Sequence, residues 1–136
     1  GVADALGDIS LKAQDATSVL IDTARDSDTT VRQLSTDALG LVSQKSSAAV
    51  PVLIDNLKDS DDWVRRNASL ALARLGPHAK EAVPNLKSAL KDENRYVCAN
   101  SLEAMKRINT PEAETALLDF LIASRWCPIT TKKSTF

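Results

Sequence analysis

A pattern that returns every 33 residues constrains this chain more than any other feature. Val31, Val64 and Val97 form one column, and Asp26, Asp59 and Asp92 form another. Ala38, Ala71 and Ala104 form a third, Leu39, Leu72 and Met105 a fourth, and Val42, Leu75 and Ile108 a fifth. A fixed period of this length means stacked copies of one unit, each too small to bury its apolar face alone.

Within each copy the apolar spacing is helical. Val64, Ala68, Ala71, Leu72 and Leu75 lie on one stripe of an amphipathic helix. Val31, Ser35, Ala38, Leu39 and Val42 repeat it, as do Val97, Ser101, Ala104, Met105 and Ile108. The small residues at the second and third places let a neighbouring helix approach closely. A shorter apolar helix precedes each of these: Val19, Leu20, Ile21 and Ala24; then Val50, Val52, Leu53, Ile54 and Leu57; then Val83, Leu86, Ala89 and Leu90. The joints are Asp-Ser-Asp, Asp-Ser-Asp-Asp and Asp-Glu-Asn, whose side chains accept from the free amides of the next helix. Gly76-Pro77 and Asn109-Thr110-Pro111 break the chain between units, and Pro51 and Pro84 suit helix starts.

These signals predict helices at about 3–24 (broken near Ser10), 28–44, 48–58, 61–75, 79–91, 94–108 and 111–124, with no strand. The expected architecture is an all-α solenoid of about three helix pairs plus a capping helix, stabilised by nearest-neighbour stacking. The repeat domain covers 1–124, with units at about 13–45, 46–78 and 79–110 and a cap at 111–124. Ala116, Leu117, Leu118, Leu121 and Ile122 mark the cap, which fits the register after a shift of about one residue. Residues 125–136 form a tail without periodicity, in which Trp126 is expected to fold back on the last repeat or to serve a partner.

Charge narrows the function classes. The formal net charge of −1 argues against nucleic acid as partner, which would require surplus Lys and Arg. Residues 1–62 carry −6 and residues 63–136 carry +5, an acidic end and a basic end suited to ordering partners or copies. No apolar run is long enough for a membrane span, and no secretory signal pattern opens the chain. Cys98 and Cys127 are too few and too far apart for a metal motif. They read as free thiols in a reducing, cytoplasmic compartment. The start at Gly1 also leaves open a segment of a longer solenoid whose site lies elsewhere.

A catalytic reading finds little. The one histidine, His78, sits in a Gly-Pro-His turn, so neither a His-dependent triad nor a multi-histidine metal site is built from this chain. There is no Walker or GxGxxG loop. No catalytic, metal or cofactor residues are assigned.

A binding reading finds more. Thr30, Trp63 and Tyr96 occupy one repeat position, and Leu34, Asn67 and Asn100 another, four residues on. Trp63 with Asn67, and Tyr96 with Asn100, share a helix face. An Asn amide pairs with an extended backbone while a flat ring packs its side chains. The alternative is that Trp63 covers a helix end and Asn67 bonds locally. Arg65, Arg66, Arg74, Arg95 and Arg107 lie around these pairs, and Arg and Trp are typical interface anchors. The expected partner is a protein: an extended or acidic segment, or a subunit of a larger complex.

Residues 61–76, Asp-Asp-Trp-Val-Arg-Arg-Asn-Ala-Ser-Leu-Ala-Leu-Ala-Arg-Leu-Gly, resemble the HEAT repeat, in the short form found in phycobilisome lyases. Ala49-Val50-Pro51-Val52-Leu53 and Ala82-Val83-Pro84-Asn85-Leu86 look like that family's first helix. The resemblance covers roughly residues 13–122. It implies a superhelix with the first helices on the convex side and the second on the concave side. It also implies a ladder in which Asp26, Asp59, Arg32 and Arg65 link neighbouring repeats and which ends where Cys98 replaces the Arg. A reactive Cys98 would need the nearby Arg95 and Lys91 to lower its pKa; the alternative is a small half-buried side chain. Trp63 to Asn67 also has the spacing of the Trp-x-x-x-Asn ladder of armadillo repeats. The registers differ, so that likeness is one of chemistry. One HEAT-repeat enzyme type holds two irons with His-Glu pairs, and this chain has none. A second class of function follows from the same resemblance: handling a bilin tetrapyrrole, with Cys98 or Tyr96 beside it, in a cyanobacterial cytosol or a plastid.

Overall fold

The computed structural model describes residues 15–43 and 46–126, the last two by backbone alone. Residues 3–14 of the first expected helix, Cys127 and the rest of the tail lie outside the described residues. Helix α1 is described over 15–23. It is followed by α2 (Thr29–Val42), α3 (Val50–Asn56), α4 (Asp62–Leu75), a 3-10 helix (Gly76–Ala82), α5 (Val83–Ala89), α6 (Arg95–Ile108) and α7 (Pro111–Trp126). There is no strand among the described residues.

Each second helix starts at a side-chain cap. Asp28, Asp61 and Asn94 adopt extended backbone and accept from the amides of Val31, Val64 and Val97. Two residues earlier, the carboxylates of Asp26, Asp59 and Asp92 accept from the amides of Asp28, Asp61 and Asn94 at 2.8–2.9 Å. Each joint is thus braced twice by local acceptors. Gly76 stops α4 at φ 55°, and Asn109 stops α6 in the left-handed region at φ 54°, its amide donating to the Met105 carbonyl.

The segment expected to begin a helix at 79 opens instead as the 3-10 helix. Pro84 has no N–H to donate to the Lys80 carbonyl, so the α-helical ladder cannot run through that point. The 3-10 turn still buries Ala79 and Ala82 against the core.

The second helices α2, α4 and α6 stack side by side through the two most extensive interfaces among the described elements, and α3 and α5 pack behind them. Val64, Ala68, Ala71, Leu72 and Leu75 are fully buried in that stack, as are Val97, Ser101, Ala104 and Met105. In α2 the stripe is less covered: Val31 and Ala38 are half-buried and Val42 is exposed. Among the described residues α2 has a second-helix neighbour on one side only.

An arginine ladder ties the stack. Arg32 donates to Asp59 from Nε at 2.9 Å and from Nη2 at 3.2 Å. Arg65 donates to Asp92 from Nε at 2.9 Å. Each arginine also reaches back to its own joint, Arg32 to the Asp26 and Ser27 carbonyls and Arg65 to the Asp59 carbonyl. The ladder therefore runs forward, from each arginine to the next unit's aspartate. Asp26 contributes a carbonyl to Arg32 rather than its carboxylate, and Asp92 is the acceptor of the last rung.

Candidate docking site on the second helices

Trp63 and Tyr96 occupy the first turns of α4 and α6, two residues after the caps Asp61 and Asn94. The 33-residue register and side-by-side packing set the two rings at the same height. Arg66, one turn below Trp63, lies between them. Its guanidinium carbon is 4.6 Å from the Trp63 ring centroid and 4.1 Å from the Tyr96 centroid. Both distances suit cation–π attraction. Arg95 adds a second cation 4.8 Å from the Tyr96 centroid and donates to the phenol oxygen at 2.9 Å. Trp63 is 55% and Tyr96 41% exposed, so neither ring is core.

The rings border a cleft of about 380 Å³ floored by Asp61, Asp62 and Asn94. Its acids are engaged. Asp61 takes the Val64 amide and Gln33 Nε2 at 2.8 Å. Burial pushes the Asp61 carboxyl up, but the hydrogen bonds from Gln33, Val64 and Trp63 outweigh it and hold its pKa below the ordinary value. Asp62 pairs with Arg65. Arg66 differs: among the described residues no carboxylate pairs with it. Hydrogen bonding from Arg95, then its charge, holds the Tyr96 phenol below its usual pKa, with Arg66 adding to the effect.

The other residues singled out in the sequence are placed differently. Asn67 donates to the Gln33 carbonyl on α2 at 3.0 Å. Asn100 donates to the Arg66 carbonyl and to Ser69 Oγ on α4, each at 3.3 Å. Both amides thus stitch one second helix to the one before. Arg65 is held in the ladder with its side chain 11% exposed. Arg74 lies 3.9 Å from Asp37, and Arg107 pairs with Glu103 on its own helix. His78 is exposed on the 3-10 helix. Cys98 is a half-buried side chain; burial, then the negative charge of Asp92, raises its pKa, against the alternative in which Arg95 and Lys91 lower it.

Two features were not foreseen. Asn56, fully buried in α3, donates to the Ala24 carbonyl at 3.2 Å and to Thr36 Oγ1 at 2.9 Å, joining the first unit to the second. A groove of about 780 Å³ runs between α5 and α7, with Val83, Pro84 and Lys87 on one wall and Thr115 and Ala116 on the other. Among the described residues no group of His, Cys, Asp and Glu is placed to hold a metal. No described helix is long and apolar enough to cross a membrane.

Stacked helix pairs joined by a forward arginine ladder define an α-solenoid. The family model for HEAT repeats matches residues 1–73 and again residues 50–126, and the chain belongs to that family. Among solved structures it is similar to the complex of CpcE and CpcF of phycocyanin lyase from Nostoc sp. PCC7120, at 28% identity and a TM-score of 0.69. The match covers 85% of this chain and 46% of that one, so the chain spans less than half the length of this relative. That relative is a complex of two subunits. No curated protein matches the chain.

Proposed function

We propose that the chain is a non-enzymatic docking module that takes an acidic, extended segment of a protein partner across the second-helix surface. One observation carries the reading: Arg66 stands between two exposed aromatic rings with no carboxylate paired to it among the described residues. A guanidinium whose faces rest on aromatic rings keeps its donors in its own plane, at an edge suited to bidentate contact with a carboxylate. The rings then pack against the partner's apolar side chains. Arg95 widens the positive patch, while Asn67, Asn100 and Arg65 hold the helices that carry it. The two-subunit relative supports a protein as partner.

The test uses a synthetic Glu-rich peptide carrying one aromatic residue. Binding at low salt, lost in Arg66→Ala and in Trp63→Ala/Tyr96→Ala with helicity and Tm unchanged, supports the module. Equal binding by wild type and Arg66→Ala rules it out.

The likeness to a phycocyanin lyase complex favours a second reading, in which the same surface handles a bilin with Tyr96 beside the tetrapyrrole. Mixing the chain with free bilin distinguishes the two. A shifted absorption band that Tyr96→Ala abolishes supports the second reading, and an unchanged spectrum removes it.

A further inference from the structure

Helix α7, the last described helix, carries a face whose equivalents in the preceding unit line the groove toward α7. Helix α7 buries Ala113 and Ala116 and half-buries Leu117 and Phe120. Moved back 34 positions, these match Ala79, Ala82, Val83 and Leu86, all buried in the 3-10 helix and α5. On that register Leu118 and Leu121 stand where α5 has Pro84 and Lys87. Pro84 and Lys87 line the groove that faces α7. The equivalent positions on α7 are therefore those that a further helix of the same kind would meet. Among the described residues none does, and Leu118, Leu121 and Ile122 are 60%, 59% and 57% exposed. Single exposed aliphatics are ordinary, but three at i, i+3 and i+4 make a continuous stripe.

We infer that this stripe is an interface between two copies of the chain, their α7 helices packed antiparallel about a two-fold axis. The surface is separate from the α4–α6 cleft, and the inference does not depend on the function proposed for it. Two observations favour a second copy. The stripe continues the α5–α7 seam, where helices of this position already pack side by side. It is also self-complementary: an axis between residues 119 and 120 sets Leu118 against Leu121 and Leu117 against Ile122. The same axis brings Glu114 of one copy level with position 125 of the other, an Arg in the sequence. Glu112 and Glu114 lie in the first half of α7 and its one base, at position 125, in the second, so antiparallel packing opposes unlike charges, whereas parallel packing opposes like ones. An interface that pairs each patch with its own copy closes at two subunits.

Sedimentation equilibrium of the whole chain over a range of concentrations tests this. The expected result is a species of twice the chain mass. Leu118→Glu/Leu121→Glu should return it to monomer with helicity unchanged, since neither side chain is buried within a single copy, and with a Tm that no longer depends on concentration. Glu114→Arg should weaken the dimer at least tenfold, and adding Arg125→Glu should restore it. A monomer at every concentration would overturn the inference and leave the stripe to residues 127–136 or to a foreign partner. Growth without limit would point to head-to-tail stacking instead, and a dimer indifferent to the double variant would place the interface elsewhere. Each of those results also overturns it.

Discussion

Arg65 clasps Asp92 across the step from α4 to α6, Nε to Oδ2 at 2.9 Å, while its Nη1 holds the Asp59 carbonyl at 2.8 Å. One guanidinium thus joins two successive joints. Both side chains of the pair are nearly covered, at 11% and 12% exposure, so solvent screens the contact little. Arg65→Ala leaves the Asp92 carboxylate with the Asn94 amide as its one remaining hydrogen-bond partner among the described residues. We expect a loss of about 2–3 kcal/mol in chemical unfolding. Arg65→Lys should recover less than half, because an ammonium cannot span a carboxylate and a carbonyl with one planar fork.

Gly40 lets α2 pack closely on α4. A Cβ placed there would meet the Ala71 Cβ at 2.9 Å and its Cα at 3.0 Å. In an isolated helix Gly→Ala would stabilise by about 1 kcal/mol. Here the contact is backbone and methyl, neither of which can swing aside, so the helices must separate. Gly40→Ala should therefore lower the denaturation midpoint rather than raise it. Gly40→Val should cost about 2 kcal/mol.

The repeat made the stack of second helices legible because every copy spends the same positions on the same contact. Val64 and Val97 belong to one column of the sequence and both are fully buried in the structure. What depends on one copy's neighbours was not legible. Arg66 and Tyr96 are each visible as candidates, but stacking one on the other requires α6 to lie beside α4 in register. Asn67 and Asn100 look like free amides until the carbonyls of Gln33 and Arg66 come within reach. Asn56 interrupts an apolar run with no sign of the Ala24 carbonyl it meets. Cys98 has basic neighbours in sequence, yet Arg95 turns to the Tyr96 phenol and burial governs the thiol. The 3-10 helix at Gly76–Ala82 follows from Pro84, a residue that also suits a plain helix start.

Asp61 links stability to pH. Its folded pKa lies below the ordinary 3.8 because Gln33 and the Val64 and Trp63 amides favour the carboxylate more than burial disfavours it. A depressed carboxyl contributes stability that is fully present above the unfolded pKa and is lost as pH falls through the folded one. The chain should therefore lose this contribution below about pH 4. Asp61→Asn keeps a good cap residue but removes the charge. Its unfolding free energy should fall less steeply than the wild type's between about pH 4 and pH 2. Parallel slopes would show that Asp61 is not the group responsible.

Tyr96 is the only tyrosine, so tyrosinate absorbance reports that one phenol. The Arg95 hydrogen bond, then the Arg95 charge, lowers its pKa from 10.0, and Arg66 adds to the effect. The native titration midpoint should lie below 10.0, and the midpoint in denaturant should return to it. Near neutrality the phenol is protonated in both states, so the shift adds no stability there. The gain appears only as pH rises through the native midpoint and is complete above the unfolded one. Arg95→Ala should raise the native midpoint most, and Arg66→Ala less. Because Arg66 also faces the proposed acidic partner, a bound Glu-rich peptide should raise the midpoint by partly neutralising that charge. A peptide that binds without moving it docks somewhere other than between these two rings.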